Sequence, residues 1–92
     1  MVQSWRHKGL KLFYETGDKR KIQPKHAEKL SLLLFQLANA IKPDDMNIPG
    51  NGFHKLTGDF KGFYAVKVNA NWRVIFQFQD KDAILVDYID YH

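Results

Sequence analysis

The final three residues, Asp90-Tyr91-His92, set a carboxylate, a phenol and an imidazole side by side. Each can move a proton or orient a neighbour, and an imidazole titrating near about 6.5 works in either direction at neutral pH. Upstream, Arg73 lies within Asn69-Ala70-Asn71-Trp72-Arg73-Val74-Ile75-Phe76 and supplies a planar cation suited to a phosphate. A fixed guanidinium, an imidazole and a phenol on one sheet are the parts needed to break an RNA phosphodiester without a metal. Such a reaction requires a base, an acid and positive charge over the phosphorane oxygens.

Other chemistries find less support. The chain has no cysteine, its carboxylates are scattered or paired in turns, and no His-x-x-x-His spacing offers an open metal site. No glycine-rich loop precedes a helix to cradle a nucleotide, so neither a metal nor an organic cofactor is expected. No apolar stretch approaches the roughly 20 residues of a membrane span, and Met1-Val2-Gln3-Ser4 opens no signal peptide. The expected place is therefore a reducing cytoplasm, with no membrane contact.

The net charge of +4 is concentrated at the front: residues 1–29 carry eight Lys or Arg against three Asp or Glu, whereas residues 60–92 balance. Its densest part is Lys19-Arg20-Lys21, with Lys25 close behind. Such a run is a solvated loop, a phosphate-facing surface whose binding weakens with salt, or a contact for an acidic protein. Charge alone does not choose among these.

These groups need a scaffold, and 92 residues with 45% hydrophobic content suffice for one domain spanning 1–92. Residues 2–5 read as a short first strand. Leu10, Phe13 and Tyr14 recur at helical spacing over 8–16, with Gly17 as the stop. A second helix starts near Pro24 and carries the stripe Ala27, Leu30, Leu34, Leu37, Ala38 and Ile41, with Pro43 as its boundary. Leu32, Leu33 and Phe35 widen its apolar face and leave room for a partner. Beyond Pro49-Gly50 the period becomes two, giving strands over 53–56, 63–69, 72–79 and 83–88 with short polar turns between them.

Turns that short favour antiparallel neighbours. The expected fold is α+β: an N-terminal strand and two helices packed on one face of an antiparallel sheet. Trp72, Val74, Phe76 and Phe78 then meet the helices, while Arg73, Ile75 and Gln77 point to an uncovered face. The run Ala83-Ile84-Leu85-Val86 reads as buried strand. With regular pleating, Asp90 and His92 share a side with Tyr88. His7 and His26 read as solvent-facing residues of the helical half.

Several segments together resemble a known family. Ser4-Trp5-Arg6-His7-Lys8-Gly9-Leu10, Pro49-Gly50-Asn51-Gly52-Phe53-His54-Lys55-Leu56 and Gly58-Asp59-Phe60-Lys61-Gly62-Phe63-Tyr64 are three of them. Asn71-Trp72-Arg73 and Asp87-Tyr88-Ile89-Asp90-Tyr91-His92 complete the set. In order and spacing the chain resembles the HigB-type toxins of the RelE/ParE superfamily over nearly its whole length.

The resemblance implies a bacterial type II toxin that cleaves messenger RNA in the 30S decoding site of the ribosome. It implies a HigA-type helix-turn-helix antitoxin that neutralises the toxin, with operator DNA met only through that complex. Carried over by position, His54, Arg73, Asp90, Tyr91 and His92 form the catalytic set, with His54 as a second proton carrier beside His92. Thr57 stands where such toxins commonly carry a lysine. Phosphate contacts then fall to Arg73, Lys55 and Lys61, with Lys19, Arg20 and Lys21 as the wider basic surface.

Two other functions fit the same fold: a non-catalytic poison that occupies a protein surface, as in the gyrase-binding branch, and an inactive RNA-binding relative. Retention of His92 and Arg73 argues against the first; Thr57 keeps the second open.

Overall fold

The computed structural model describes residues 1–91. Helix α1 (Lys8–Thr16) begins where the His7 ring nitrogen Nδ1 accepts a hydrogen bond from the Leu10 amide, so His7 is a helix cap. It ends at Gly17, whose φ of 80° is the left-handed conformation that glycine adopts without steric cost. Gly9 lies in α1 against the basic loop. A side chain there would collide with Lys21, so the residue is small because the loop crosses the helix at this point.

Helix α2 (Ala27–Asn39) is led in by a single 3-10 turn, Pro24–His26. It buries Ala27, Leu30, Leu33, Leu34 and Leu37. Because the helix stops at Asn39, Ile41 leaves the expected stripe and lies exposed, as do Leu32 and Phe35.

Four strands follow in sheet order β1-β2-β3-β4: β1 (His54–Lys55), β2 (Tyr64–Lys67), β3 (Trp72–Gln79) and β4 (Asp82–Asp90). All neighbouring pairs are antiparallel. The N-terminal segment departs from expectation. It forms only two isolated bridges, Val2 with Ala83 and Trp5 with Val86, and both run parallel to β4.

The reason lies in β4 itself. Between Ile75 and Gln77 of β3 the pairing partner jumps from Asp87 to Ile84, so β4 carries an extra residue. Leu85 absorbs it at φ 55°, with its amide donating to Ser4 Oγ at 2.8 Å. The bulge resets the alternation: Ala83, Val86 and Tyr88 are buried, while Leu85 is exposed and Ile84 half-buried. The apolar run at 83–86 is therefore not uniformly interior.

The main core lies between the helices and one sheet face, joining Leu10, Phe13, Leu30, Leu34 and Leu37 to Val66, Val74, Phe76, Val86 and Tyr88. The other sheet face, expected to be uncovered, carries a second small core. The loop 56–63 folds over it, so that Leu56 and Phe63 bury Ala65 and Ile75, with Phe60 and Ile89 at the margin. What stays open for a ligand is the strip beside this lid.

Candidate active site

Arg73 stands on that second face. Its Nη1 donates to the carbonyl oxygens of Asn69 at 2.8 Å, Trp72 at 3.0 Å and Ala70 at 3.2 Å. The β2–β3 turn thus grips one end of the guanidinium. Among the described residues, Nε and Nη2 have no hydrogen-bond partner, which leaves the free edge of the fork for a ligand.

Strand register places its neighbours. Lys67 on β2 and Ile89 on β4 pair directly with Arg73, so all three project to one face. Tyr91 follows directly after β4, two residues beyond Ile89. Its amide donates to the Asn71 carbonyl at 2.7 Å and its ring lies 6.3 Å from that of Phe60, on the same face. Diagonal neighbours of this kind are about 7–8 Å apart and within reach of long side chains.

His54 pairs with Ala65, which pairs with Ile75, so it also shares the face. It lies two strands and one pleat from Arg73, roughly 12 Å between backbones by ordinary sheet spacing. Its Nδ1 bonds the Gly52 carbonyl at 2.9 Å. The loop before it is fixed by Asn51, a buried residue whose amide donates to Gln36 Oε1 and to the Met46 carbonyl. The carbonyl of Asn51 receives the Lys67 amide at 2.7 Å.

The face is basic at its other end as well. Arg6 stacks its guanidinium over Phe63 at 5.5 Å and reaches Asp87 at 3.7 Å. An imidazole, a phenol, an anchored guanidinium and a lysine along one strip can hold a phosphodiester and exchange protons with it. Among the described residues no group of three His, Cys, Asp or Glu side chains could hold a metal ion.

The remaining sequence expectations divide. Asp90 pairs with Trp72, so it projects with Trp72 and Tyr88 on the helix side, as alternation implies, and not with Arg73. His92 lies outside the described residues. Lys55 pairs with Tyr64, holds its ammonium 5.9 Å from that ring, and so sits across the strand from His54. Lys61 and Thr57 flank the 3-10 turn Gly58–Phe60 and are both exposed. In the basic loop Arg20 is clamped on Asp18, with Nη2 to Oδ2 at 2.7 Å, and this partner holds the Asp18 carboxyl below its usual range. Lys19 and Lys21 are exposed, and Arg20 and Lys21 border a hollow of about 270 Å³ with His7, Trp72 and Tyr88.

His26 is a correction. It is 3% exposed rather than solvent-facing, hydrogen-bonded through Nδ1 to Tyr88 Oη at 2.6 Å and through Nε2 to Asn69 Nδ2 at 2.7 Å. The 3-10 turn before α2 rotates it inward, and burial pushes its pKa down.

Residues 3–92 match the family described as RelE-like toxin of type II toxin-antitoxin system HigB. This chain belongs to that family. Endoribonuclease HigB of Proteus vulgaris is similar to this HigB-like toxin at 35% identity over 92 residues, all of both chains. Toxin HigB-1 of Vibrio cholerae is 33% identical over 94 residues, all of this chain and 98% of that one. Among solved structures, a histidine-to-glutamine mutant of E. coli YafQ aligns with TM-score 0.58 at 22% identity, over 92% of this chain and 88% of that one. The YoeB–YefM complex of Staphylococcus aureus gives TM-score 0.58 at 15% identity, over 100% and 98%. Those two likenesses confirm the α+β fold. Membership of a type II toxin-antitoxin family makes the chain a toxin with an antitoxin partner. Among the described residues no helix is long and apolar enough to cross a membrane.

Sequence reading missed Lys67 and Arg6. The first was available: a hairpin closed by Asn69-Ala70-Asn71 sets Lys67 opposite Arg73. The second was not, since Arg6 reaches the face only because the N-terminal segment runs parallel to β4.

Proposed function

We propose that this toxin is an endoribonuclease that cuts messenger RNA in the decoding site of the small ribosomal subunit, in the bacterial cytoplasm. The ribose 2′-hydroxyl attacks its own 3′-phosphate. The O2′–P bond forms, the P–O5′ bond breaks, and the products are a 2′,3′-cyclic phosphate and a 5′-hydroxyl. A base takes the 2′-proton, an acid delivers one to O5′, and cations hold the phosphorane.

The observation that carries this reading is the common face of Arg73, Lys67, His54 and Tyr91. Arg73 holds the scissile phosphate with its free edge, Lys67 adds charge beside it, and His54 is one of the two proton carriers. Tyr91 donates a hydrogen bond or stacks on a base. His92 is assigned the other proton transfer from its place in the sequence motif, with Asp90 steadying the strand end. Lys19 and Lys21, with Lys61, extend the contact to RNA phosphates. No step calls for a metal.

A strip of four side chains on a small domain aligns a flexible RNA poorly by itself. The ribosome supplies that alignment by holding the codon in place. The partner that silences the toxin is a helix-turn-helix protein of the HigA type, and contact with operator DNA passes through it. The relative named an endoribonuclease, identical at 35% of positions, supports the activity.

Mapping RNA 5′ ends on translating ribosomes tests the whole. Cuts in codon register with the wild type, absent with Arg73→Ala and with His92→Ala, are expected. Growth arrest that persists in both variants without cleavage would replace the nuclease with a toxin that only occupies a surface.

A further inference from the structure

We propose that Asn69 and His26 are positioning residues for Arg73, acting through the turn that holds its guanidinium; this rests on Arg73 gripping the scissile phosphate. The turn at 69–71 is a hairpin tip whose residues Ala70 and Asn71 are exposed. Such a tip is mobile unless something ties it down. Asn69 ties it to the interior. Its backbone carbonyl accepts from Arg73 Nη1 at 2.8 Å, while its side chain donates to His26 Nε2 at 2.7 Å.

The direction of each bond follows from the neighbours. The Trp72 amide donates to Asn69 Oδ1 at 3.4 Å, which turns Nδ2 towards the imidazole. An amide nitrogen only donates, so Nε2 must accept and the ring proton sits on Nδ1. Nδ1–H then donates to Tyr88 Oη, which also receives the Gln23 amide at 3.4 Å. Edge contacts with Trp72 at 5.7 Å and Tyr88 at 6.0 Å hold the ring plane.

The His26 side chain is buried, so the loss of either of its bonds leaves a ring nitrogen unpaired in the interior. The connection runs from the turn before α2, past the end of the sheet, to the opposite face where Arg73 works. Through Asn69 the helical layer thereby sets the placement of a guanidinium on the other face of the sheet.

The test is a double-mutant cycle on cleavage of a defined message by the full-length toxin on programmed ribosomes, with kcat and KM read separately. Asn69→Ala deletes the side-chain amide that reaches His26 and keeps the backbone carbonyl that Arg73 uses. We expect it to lower kcat by roughly tenfold to a hundredfold, the scale of a catalytic group displaced by about 1 Å. In an Arg73→Ala background it should cost nothing further. An equal additional loss there would overturn the positioning role and leave the role of Arg73 intact. Full activity of Arg73→Ala alone would overturn both.

A second pair isolates His26. In His26→Gln the carboxamide can still accept from Asn69 and donate to Tyr88; in His26→Leu it cannot. The Gln variant should retain more activity than the Leu variant at matched thermal stability. Equal kcat for the two would remove His26 from the proposal.

Discussion

His54 Nδ1 bonds the carbonyl oxygen of Gly52 at 2.9 Å, and this contact decides which face of the imidazole is available for chemistry. A carbonyl only accepts, so the neutral ring keeps its proton on Nδ1 and presents the lone pair of Nε2 outward. That is the form a base requires. His54→Ala should therefore lower single-turnover cleavage by about 10²- to 10⁴-fold, the usual contribution of a positioned base or acid. Because His54 is exposed, the unfolding midpoint should hardly move. Unchanged cleavage would remove His54 from the mechanism.

Arg73 gives a prediction about shape as well as charge. Three backbone carbonyls hold Nη1, and only a planar fork can make those bonds while offering a second edge to phosphate. Arg73→Lys should thus fail to rescue, remaining within about tenfold of Arg73→Ala, whose own loss should be about 10²- to 10³-fold. Recovery to near wild-type rates with lysine would show that a point charge suffices.

Burial of His26 makes stability depend on pH. Its pKa is lowered, chiefly by desolvation and then by the Lys25 charge, so the unfolded chain binds its proton more readily than the folded one. The stabilisation is fully present above the unfolded value of about 6.5 and is lost as pH falls from there through the lower folded pKa. Protonation would also set an N–H of Nε2 against the amide of Asn69, while Tyr88 stays neutral because burial raises its pKa. Denaturant midpoints measured from pH 8 to 5 should fall on the acid side, and His26→Gln should flatten that slope. A slope unchanged in the variant would assign the pH dependence to another group.

In the basic loop, the ion pair between Arg20 and Asp18 separates two kinds of cation. Lys21→Ala should reduce the salt slope of RNA or ribosome binding by about one, as loss of a phosphate contact does. Arg20→Ala should change it less, because Asp18 already neutralises that guanidinium. Equal slopes for the two variants would mean that RNA displaces Asp18 from Arg20.

The order of elements was legible in the residues because local signals are strong there. Leu10 and Phe13 at helical spacing with Gly17 behind them define α1, and Asn69-Ala70-Asn71 and Asp80-Lys81-Asp82 mark the turns around an unbroken β3. Period-two alternation also separated Val74 and Phe76 from Arg73 and Ile75, because pleating leaves each strand only two faces. Asp90 fell beside Tyr88 by the same rule.

Contacts between distant segments belonged to the tertiary structure alone. The extra residue at Leu85 shifts the phase of β4, and it forms where the N-terminal segment docks, 81 residues away in sequence from Leu85 through Ser4. His26 and Asn69 are 43 positions apart, and no periodicity relates them. The sequence by itself determined which groups exist and, in the regular strand β3, which side each takes, since those depend on side-chain type and backbone pleat. Folding decided that the lid over Ile75 and the Arg73 turn share one face while the imidazole of His26 is buried behind that turn on the other, because burial and hydrogen-bond satisfaction are properties of segments brought together.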